Sequence, residues 1–328
     1  MSLGTSLKLC KHCGQQFKDD STNQNAIWCS ETCRGKARRR GYSSLQINIG
    51  GDEMNISKID TAVLLEEASK RGFVHSQRDL LMNRHYDFPK KKKPFKIGVV
   101  SDTHLGSMMQ QLTLLCEAYR FFKANGITKV LHCGDFVEGN GKQYKGQLYE
   151  MFIHGADQML DYAIKAYPKE IGITTYVIGG SHDYSYFKAD GYDILKKIAE
   201  KRTDIKYLGN AGAYLNFGGV KINLSHPSGG VPYARSYRIQ KAIEQCPPAT
   251  KPNILLVGHL HITVELPCYR NVAGFQVPCF QAQTQYLKEK NLNPDIGFLV
   301  LEITPDEKGL SSFKTDWHIN YVPVEGDF

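Results

Sequence analysis

The chain has 328 residues, about two domains' worth, with 41 Lys+Arg against 33 Asp+Glu for a net of +8. Its 41% hydrophobic and 23% charged residues are ordinary for a globular protein, and no apolar run reaches the roughly 18 residues of a membrane span. The start of the chain has no apolar signal core, and nine cysteines, an odd number in a chain this large, argue against a disulfide framework, so a reducing cytoplasm is expected and no membrane partner.

The charge is uneven. Residues 1–96 hold 18 basic and 10 acidic side chains, whereas residues 97–328 hold 23 of each. A basic appendage on a neutral domain is the expected organisation. Three stretches follow: 1–41, a Cys-rich module; 42–95, a small helical region with a basic linker; and 96–328, a catalytic-sized domain.

In the first stretch, Cys10 and Cys13 form a C-x2-C knuckle, and Cys29 and Cys33 follow after fifteen intervening residues. Four thiolates in two close pairs match one structural zinc ion. The form CxxCGxxF…WCSxxC resembles small zinc-ribbon or treble-clef modules. A redox or incidental cluster is the competing reading. Arg34, Lys36, Arg38, Arg39 and Arg40 come directly afterwards, a charge run suited to a phosphate backbone or simply to solvent.

In the second stretch, a strand is expected near Leu45–Ile49. A helix is expected over Ile59–Arg71, capped by Asp60 and ended by Gly72. Residues 84–96, RHYDFPKKKKPFK, read as a linker or boundary.

From Lys96 onward, apolar runs alternate with helical patterns. Strands are expected at Ile97–Val100, Lys129–Cys133, Thr174–Ile178, Lys221–Leu224 and Asn253–Val257, then at Phe298–Ile303 and Ser312–Ile319. Helices are expected near 109–124, 147–166, 191–201 and 234–245. This pattern indicates a layered α/β domain.

Each of the first five strands runs into metal-competent residues: Asp102-Thr103-His104, Gly134-Asp135-Phe136-Val137-Glu138, Gly180-Ser181-His182-Asp183, Ser225-His226 and Gly258-His259-Leu260-His261. Functional groups gather at the carboxyl ends of strands in α/β sheets. In Asp102-x-His104 and His259-x-His261, an extended backbone would project both side chains to one side. Glycines beside Asp135, Ser181 and His259 permit close backbone approach. Mixed carboxylate and imidazole donors suit Mn, Fe or Zn better than Ca. Any one of these histidines is explained by ordinary hydrogen bonding; five clusters in this order are not.

The constellation resembles the calcineurin-like metallophosphoesterase superfamily over residues 95–325. That resemblance implies a four-layer α/β/β/α sandwich and two divalent ions. Asp102, His104, Asp135 and His261 would hold the first ion. Asp135, His226, His259 and Ser181 would hold the second, with Asp135 bridging. His182 would protonate the leaving oxygen, oriented by Glu138, and Asp183 would shape the turn. The family carries Asn where this chain has Ser181, so the second ion site is expected to be the weaker one.

Near the site, Lys142 and Lys145 stand in a Gly-rich loop, and Arg235 and Arg238 follow the Ser228-Gly229-Gly230 turn. All four are candidates for phosphate contact or for a solvated surface. The expected function is a metal-dependent phosphodiesterase or nuclease acting on DNA or RNA. The alternatives are a phosphatase or phosphodiesterase on a nucleotide, small phosphoester or phosphoprotein, and a catalytically weak nucleic-acid-binding adaptor.

Overall fold

Two-residue periodicity dominates the catalytic-sized region, and it produces two sheets. The computed structural model describes residues 84–89, 93–140, 148–307 and 309–328, together with four short strands nearer the N-terminus. The chain divides into two units, Met1–His75 and Ser76–Phe328.

The first unit contains two antiparallel hairpins. One pairs β1 (Leu7–Leu9) with β2 (Gln16–Lys18), and the other pairs β3 (Gln46–Ile49) with β4 (Asp52–Asn55). The four cysteines, the arginine-rich run and the helix expected over 59–71 lie outside the described residues.

In the second unit, one sheet has the order β16-β15-β6-β7-β8-β9, with β6 Phe95–Val100, β7 Lys129–His132, β8 Thr174–Gly179, β9 Ile205–Asn210, β15 Ile296–Asp306 and β16 Gly309–Asn320. The run β6-β7-β8-β9 is parallel. The other sheet has the order β13-β14-β12-β11-β10-β5. Its strands are β5 Arg84–Phe88, β10 Gly212–Phe217, β11 Val220–Ser225, β12 Ile254–Val257, β13 Val264–Tyr269 and β14 Val272–Gln276.

The seven expected strands are all present, within a few residues at each end. Helices fall in the four expected stretches: α1 (Leu112–Ala124), α2 (Ala156–Ala166), α4 (Ile194–Lys201) and α5 (Tyr237–Glu244). Within the expected 147–166, α2 occupies only the second half, and a 3-10 turn at Leu148–Glu150 stands instead at the start. Another helix, α3 (Asp183–Asp190), precedes α4. It ends at Gly191 in the left-handed region, and Asp193 then caps α4 by accepting from Lys196 N–H at 3.1 Å. A short α6 (Gln285–Glu289) lies in the last crossover.

The residues read as linker instead supply β5, which pairs in parallel with β10 from Arg84↔Ala213 to Phe88↔Phe217. Phe88 stacks on Phe217 at 4.3 Å, and Tyr86 donates to Leu208 O at 3.1 Å. Alternation of Tyr86 and Phe88 with polar neighbours is a strand signal that the adjacent lysine run obscured.

One apolar cluster draws Val99, Leu131 and Ile178 from the first sheet together with Leu215, Leu224 and Leu256 from the second. Another packs α1, α2 and α4 against the first sheet, through residues such as Tyr119, Met159 and Ile198. A third seats Ile239 and Ile243 of α5 against Leu255 and Val272. The sheets exchange chain through Ala211, at φ +62° between β9 and β10. Its N–H donates to Gly179 O and its carbonyl accepts from His226 N–H, so the crossover places the end of β11 beside the end of β8.

Candidate metal centre

The ends of β6 and β7 continue side by side beyond the sheet. Asp102 N–H donates to Gly134 O, His104 N–H to Asp135 O, and Leu105 N–H to Phe136 O. The ladder runs through two strand-end clusters and fixes their spacing.

Asp102, His104, Asp135, His259 and His261 all have positive φ, between +44° and +78°. The segments after β6 and β12 are therefore not extended, contrary to the sequence expectation. Convergence of each pair comes from left-handed backbone at the ligand positions themselves. Such strain costs on the order of 1–3 kcal/mol per residue and persists where surrounding structure enforces it, typically at functional sites.

Three overlapping groups result: Asp102, His104 and His261; His104, Asp135 and His182; Asp135, His226 and His259. Within each, the ligand atoms lie within 4.8 Å of one another. His104 and Asp135 each belong to two groups, so the string is continuous. Two glycines make room for it. A Cβ at Gly134, φ +97°, would stand 2.5 Å from His226 Nδ1, and one at Gly180 would run into the Asp135 carboxylate.

The donor set fits cations. His226 Nδ1 donates to Cys133 O at 2.7 Å, which leaves Nε2 as the ring atom available to a cation. That atom lies 2.9 Å from Asp135 Oδ2 yet out of hydrogen-bond alignment. His259 Nε2 donates to Gly229 O at 2.8 Å, leaving Nδ1 as its lone-pair atom. His104 Nε2 and His261 Nε2 face each other at 3.1 Å, with Asp102 Oδ1 3.3 Å from His261. Buried acceptors facing one another are stabilised by a cation between them. Burial raises the Asp102 and Asp135 carboxyls, but histidines overcome it: His261 holds Asp102, and His226 with His182 hold Asp135, below the usual range. Against its own burial, His226 is pushed up to about 9 by Asp135.

Ser181 Oγ donates to Asp135 Oδ2 at 3.4 Å, a long contact. The His182 backbone N–H donates to Asp135 Oδ1 at 2.8 Å, so this turn orients the shared carboxylate. His182 Nδ1 donates to the Glu138 backbone carbonyl at 2.5 Å, while the Glu138 carboxylate lies 3.8 Å away. The expected orienter is therefore the Glu138 main chain. Its carboxylate instead sits 2.9 Å from His104 Nδ1 and accepts from Gln281 Nε2 at 2.8 Å.

Three groups support the cluster, of which Gln281 and His132 carried no sequence signal and Asp183 was expected to shape its turn. Gln281, on the loop after β14, ties Glu138 to Ser107 Oγ. The Asp183 carboxylate accepts from Phe136, Val137 and Gly180 N–H at 2.8–3.1 Å. Burial and the Asp135 charge push Asp183 up to about 7, yet each of these contacts is a donor, an arrangement that accommodates the ionised form. His132 Nδ1 accepts from Gly134 N–H, so its Nε2–H donates to Thr103 Oγ1, which donates to Phe136 O. Lys142 and Lys145 lie outside the described residues.

Two stacked α/β sheets whose strand ends deliver buried Asp and His groups of cation-binding geometry form the frame of a metal-dependent phosphoester hydrolase. The chain belongs to the calcineurin-like phosphoesterase superfamily, whose domain model matches residues 95–269. A relative described as DNA polymerase II small subunit, from Archaeoglobus fulgidus, is 27% identical over 256 residues, which is 62% of this chain and 50% of that protein. The chain thus spans about half the length of that curated relative. Among solved structures, Vps29 from Entamoeba histolytica complexed with zinc is 16% identical at a TM-score of 0.35, covering 69% of this chain and 99% of that one. GAP50 of Plasmodium is 12% identical at a TM-score of 0.38, covering 71% and 87%.

Proposed function

We propose that the protein is a metal-dependent phosphodiesterase acting on nucleic acid. The observation that carries the reading is the continuous string of largely buried triads sharing His104 and Asp135, each with one partly exposed histidine. One ion would be held by Asp102, His104, Asp135 and His261, and a second by Asp135, His226, His259 and, weakly, Ser181. Divalent ions held there would acidify a water and neutralise charge on phosphoryl oxygens. The layering of α1, α2 and α4, two sheets, and α5 supports the four-layer α/β/β/α sandwich.

The chain's own residues supply the remaining chemistry. His182 is fixed in one orientation by its Nδ1–H bond to Glu138 O, so Nε2 is the ring atom that gives a proton to the leaving oxygen. Burial lowers its pKa, but Asp135 and Glu138 outweigh that and raise it. Asp102 and Asp135, both essentially buried, would direct their charge at ions held there rather than at solvent.

The nucleic-acid part rests on the basic surplus in residues 1–96 and on the polymerase-subunit relative. Arg34, Lys36, Arg38, Arg39, Arg40, Lys142 and Lys145 belong to this proposal, as does a zinc ion on Cys10, Cys13, Cys29 and Cys33. Among the described residues, no helix is long and apolar enough to cross a membrane. The test is a panel of single-stranded DNA, duplex DNA and RNA with Mn²⁺, in which cleavage is expected and His182→Ala abolishes it. Hydrolysis of a small diester with no cleavage of any of the three refutes the nucleic-acid reading.

A further inference from the structure

Between β11 and α5 the chain passes beside the metal cluster, touching it where Gly229 O meets His259 Nε2. Residues 227–243 carry three cations, Arg235, Arg238 and Lys241, and no acidic residue, within a domain whose overall net charge is zero. Lys241 is occupied by Glu244 at 3.3 Å. Tyr233 is fully exposed, and Tyr237 is half exposed.

The segment is fastened to both histidines of the loop after β12. Gly229 O accepts from His259 Nε2 at 2.8 Å. Arg235 Nη1 stands 3.7 Å from Asp295 Oδ2, and Asp295 N–H donates to His261 O at 2.8 Å. Gln276 Nε2 donates to Arg235 O at 3.2 Å, holding the segment's far end. The Arg238 guanidinium packs against Gly229, where an added Cβ would stand 2.5 Å from Nη2. Two arginines and two exposed tyrosines are thereby carried on a segment whose Gly229 touches His259 of the cluster.

We propose that residues 228–238 form an arm that grips single-stranded nucleic acid beside the reacting phosphate, with Tyr233 and Tyr237 stacking unpaired bases and Arg235 and Arg238 holding the flanking phosphates. The proposal rests on the nucleic-acid reading above and adds the strandedness of the substrate. Cations interleaved with exposed aromatics match a polyanion whose bases offer open ring faces. A duplex hides those faces within its stack, so the tyrosines favour unpaired strand. A protein partner would instead be met by an apolar, desolvated centre, whereas this arm is flanked by exposed Ser228, Gly229 and Gly230.

The test uses the full chain loaded with Mn²⁺ and two readouts. The first is kcat/KM for a single-stranded oligonucleotide and for a small phosphodiester. Tyr233→Ala and Tyr237→Ala should each lower the oligonucleotide value, through KM, by about fivefold or more beyond any loss on the small diester. Tyr233→Phe should restore most of the loss, because stacking needs the ring and not the hydroxyl. The second readout is inhibition of small-diester hydrolysis by a short oligothymidylate, which reports occupancy at the site and not at the N-terminal region. Arg235→Gln and Arg238→Gln should each reduce the salt slope of that inhibition by about one unit.

Equal losses on both substrates, or none on the oligonucleotide, overturn the arm while leaving the nuclease reading intact. So does stronger inhibition by duplex than by single strand. Absence of both cleavage and inhibition by any nucleic acid overturns the two together and assigns the face to another partner.

Discussion

Removing the Asp183 carboxylate tests whether the metal centre depends on a buried hydrogen-bond hub. Asp183 is 4% exposed and receives N–H bonds from Phe136, Val137 and Gly180. In Asp183→Ala three buried donors lose their acceptor. Each unsatisfied donor costs about 1–3 kcal/mol, so the sum is roughly 3–6 kcal/mol once partial relaxation is allowed. That is a large share of the roughly 5–15 kcal/mol by which domains are stable. Asp183→Asn keeps one oxygen for Phe136 and Val137 but turns an amide donor toward Gly180 N–H, so about one such penalty remains. The expected stability order is wild type, then Asn, then Ala, read by denaturant unfolding of the metal-free proteins. The same hub joins the 134–138 loop to the 180–183 turn, whose His182 N–H orients Asp135. Metal affinity should therefore fall about 10–100-fold in the Asn variant, the range seen when an outer partner of a ligand is lost. Unfolding of Asp183→Ala within about 1 kcal/mol of wild type would refute the reasoning.

Four further outcomes are expected. Ser181→Asn should tighten the weaker ion site, since Ser181 reaches Asp135 only at 3.4 Å; metal titration of both proteins measures it, and equal second-site affinity counts against Ser181 as the cause of weakness. Burial lowers His132 to about 3, so the fold holds it neutral. Its contribution to stability is complete above the unfolded value near 6.5 and declines by about 1.4 kcal/mol per unit as pH falls from there toward the folded value. His132→Gln should flatten that acid limb in unfolding measured between pH 6.5 and 4. Deleting residues 1–75 should weaken nucleic-acid binding and flatten its salt dependence while preserving small-diester hydrolysis. Deleting through residue 94 should in addition lower the thermal midpoint, because it removes β5 and the Phe88–Phe217 stack.

The sequence alone determined the alternating α/β order and the strands that run into the clustered Asp and His residues. Those features are local. Apolar runs with two-residue periodicity mark strands wherever they finally pair, and Asp or His directly after such a run is readable without knowing its neighbours. Tertiary structure decided what depends on residues distant in the chain. It made 84–88 a strand, because Tyr86 and Phe88 had β10 to pack against. It moved the Asp102 and His104 backbone out of the extended region, since a ladder to residues 134–136 sets that loop's path. It passed the orientation of His182 from the Glu138 carboxylate to its carbonyl, and drew in Gln281 from 143 positions away. Hydrogen-bond partners of this kind leave no period and no spacing in a sequence. They are fixed by how two sheets stack, and that stacking is set by the whole apolar core rather than by any one segment.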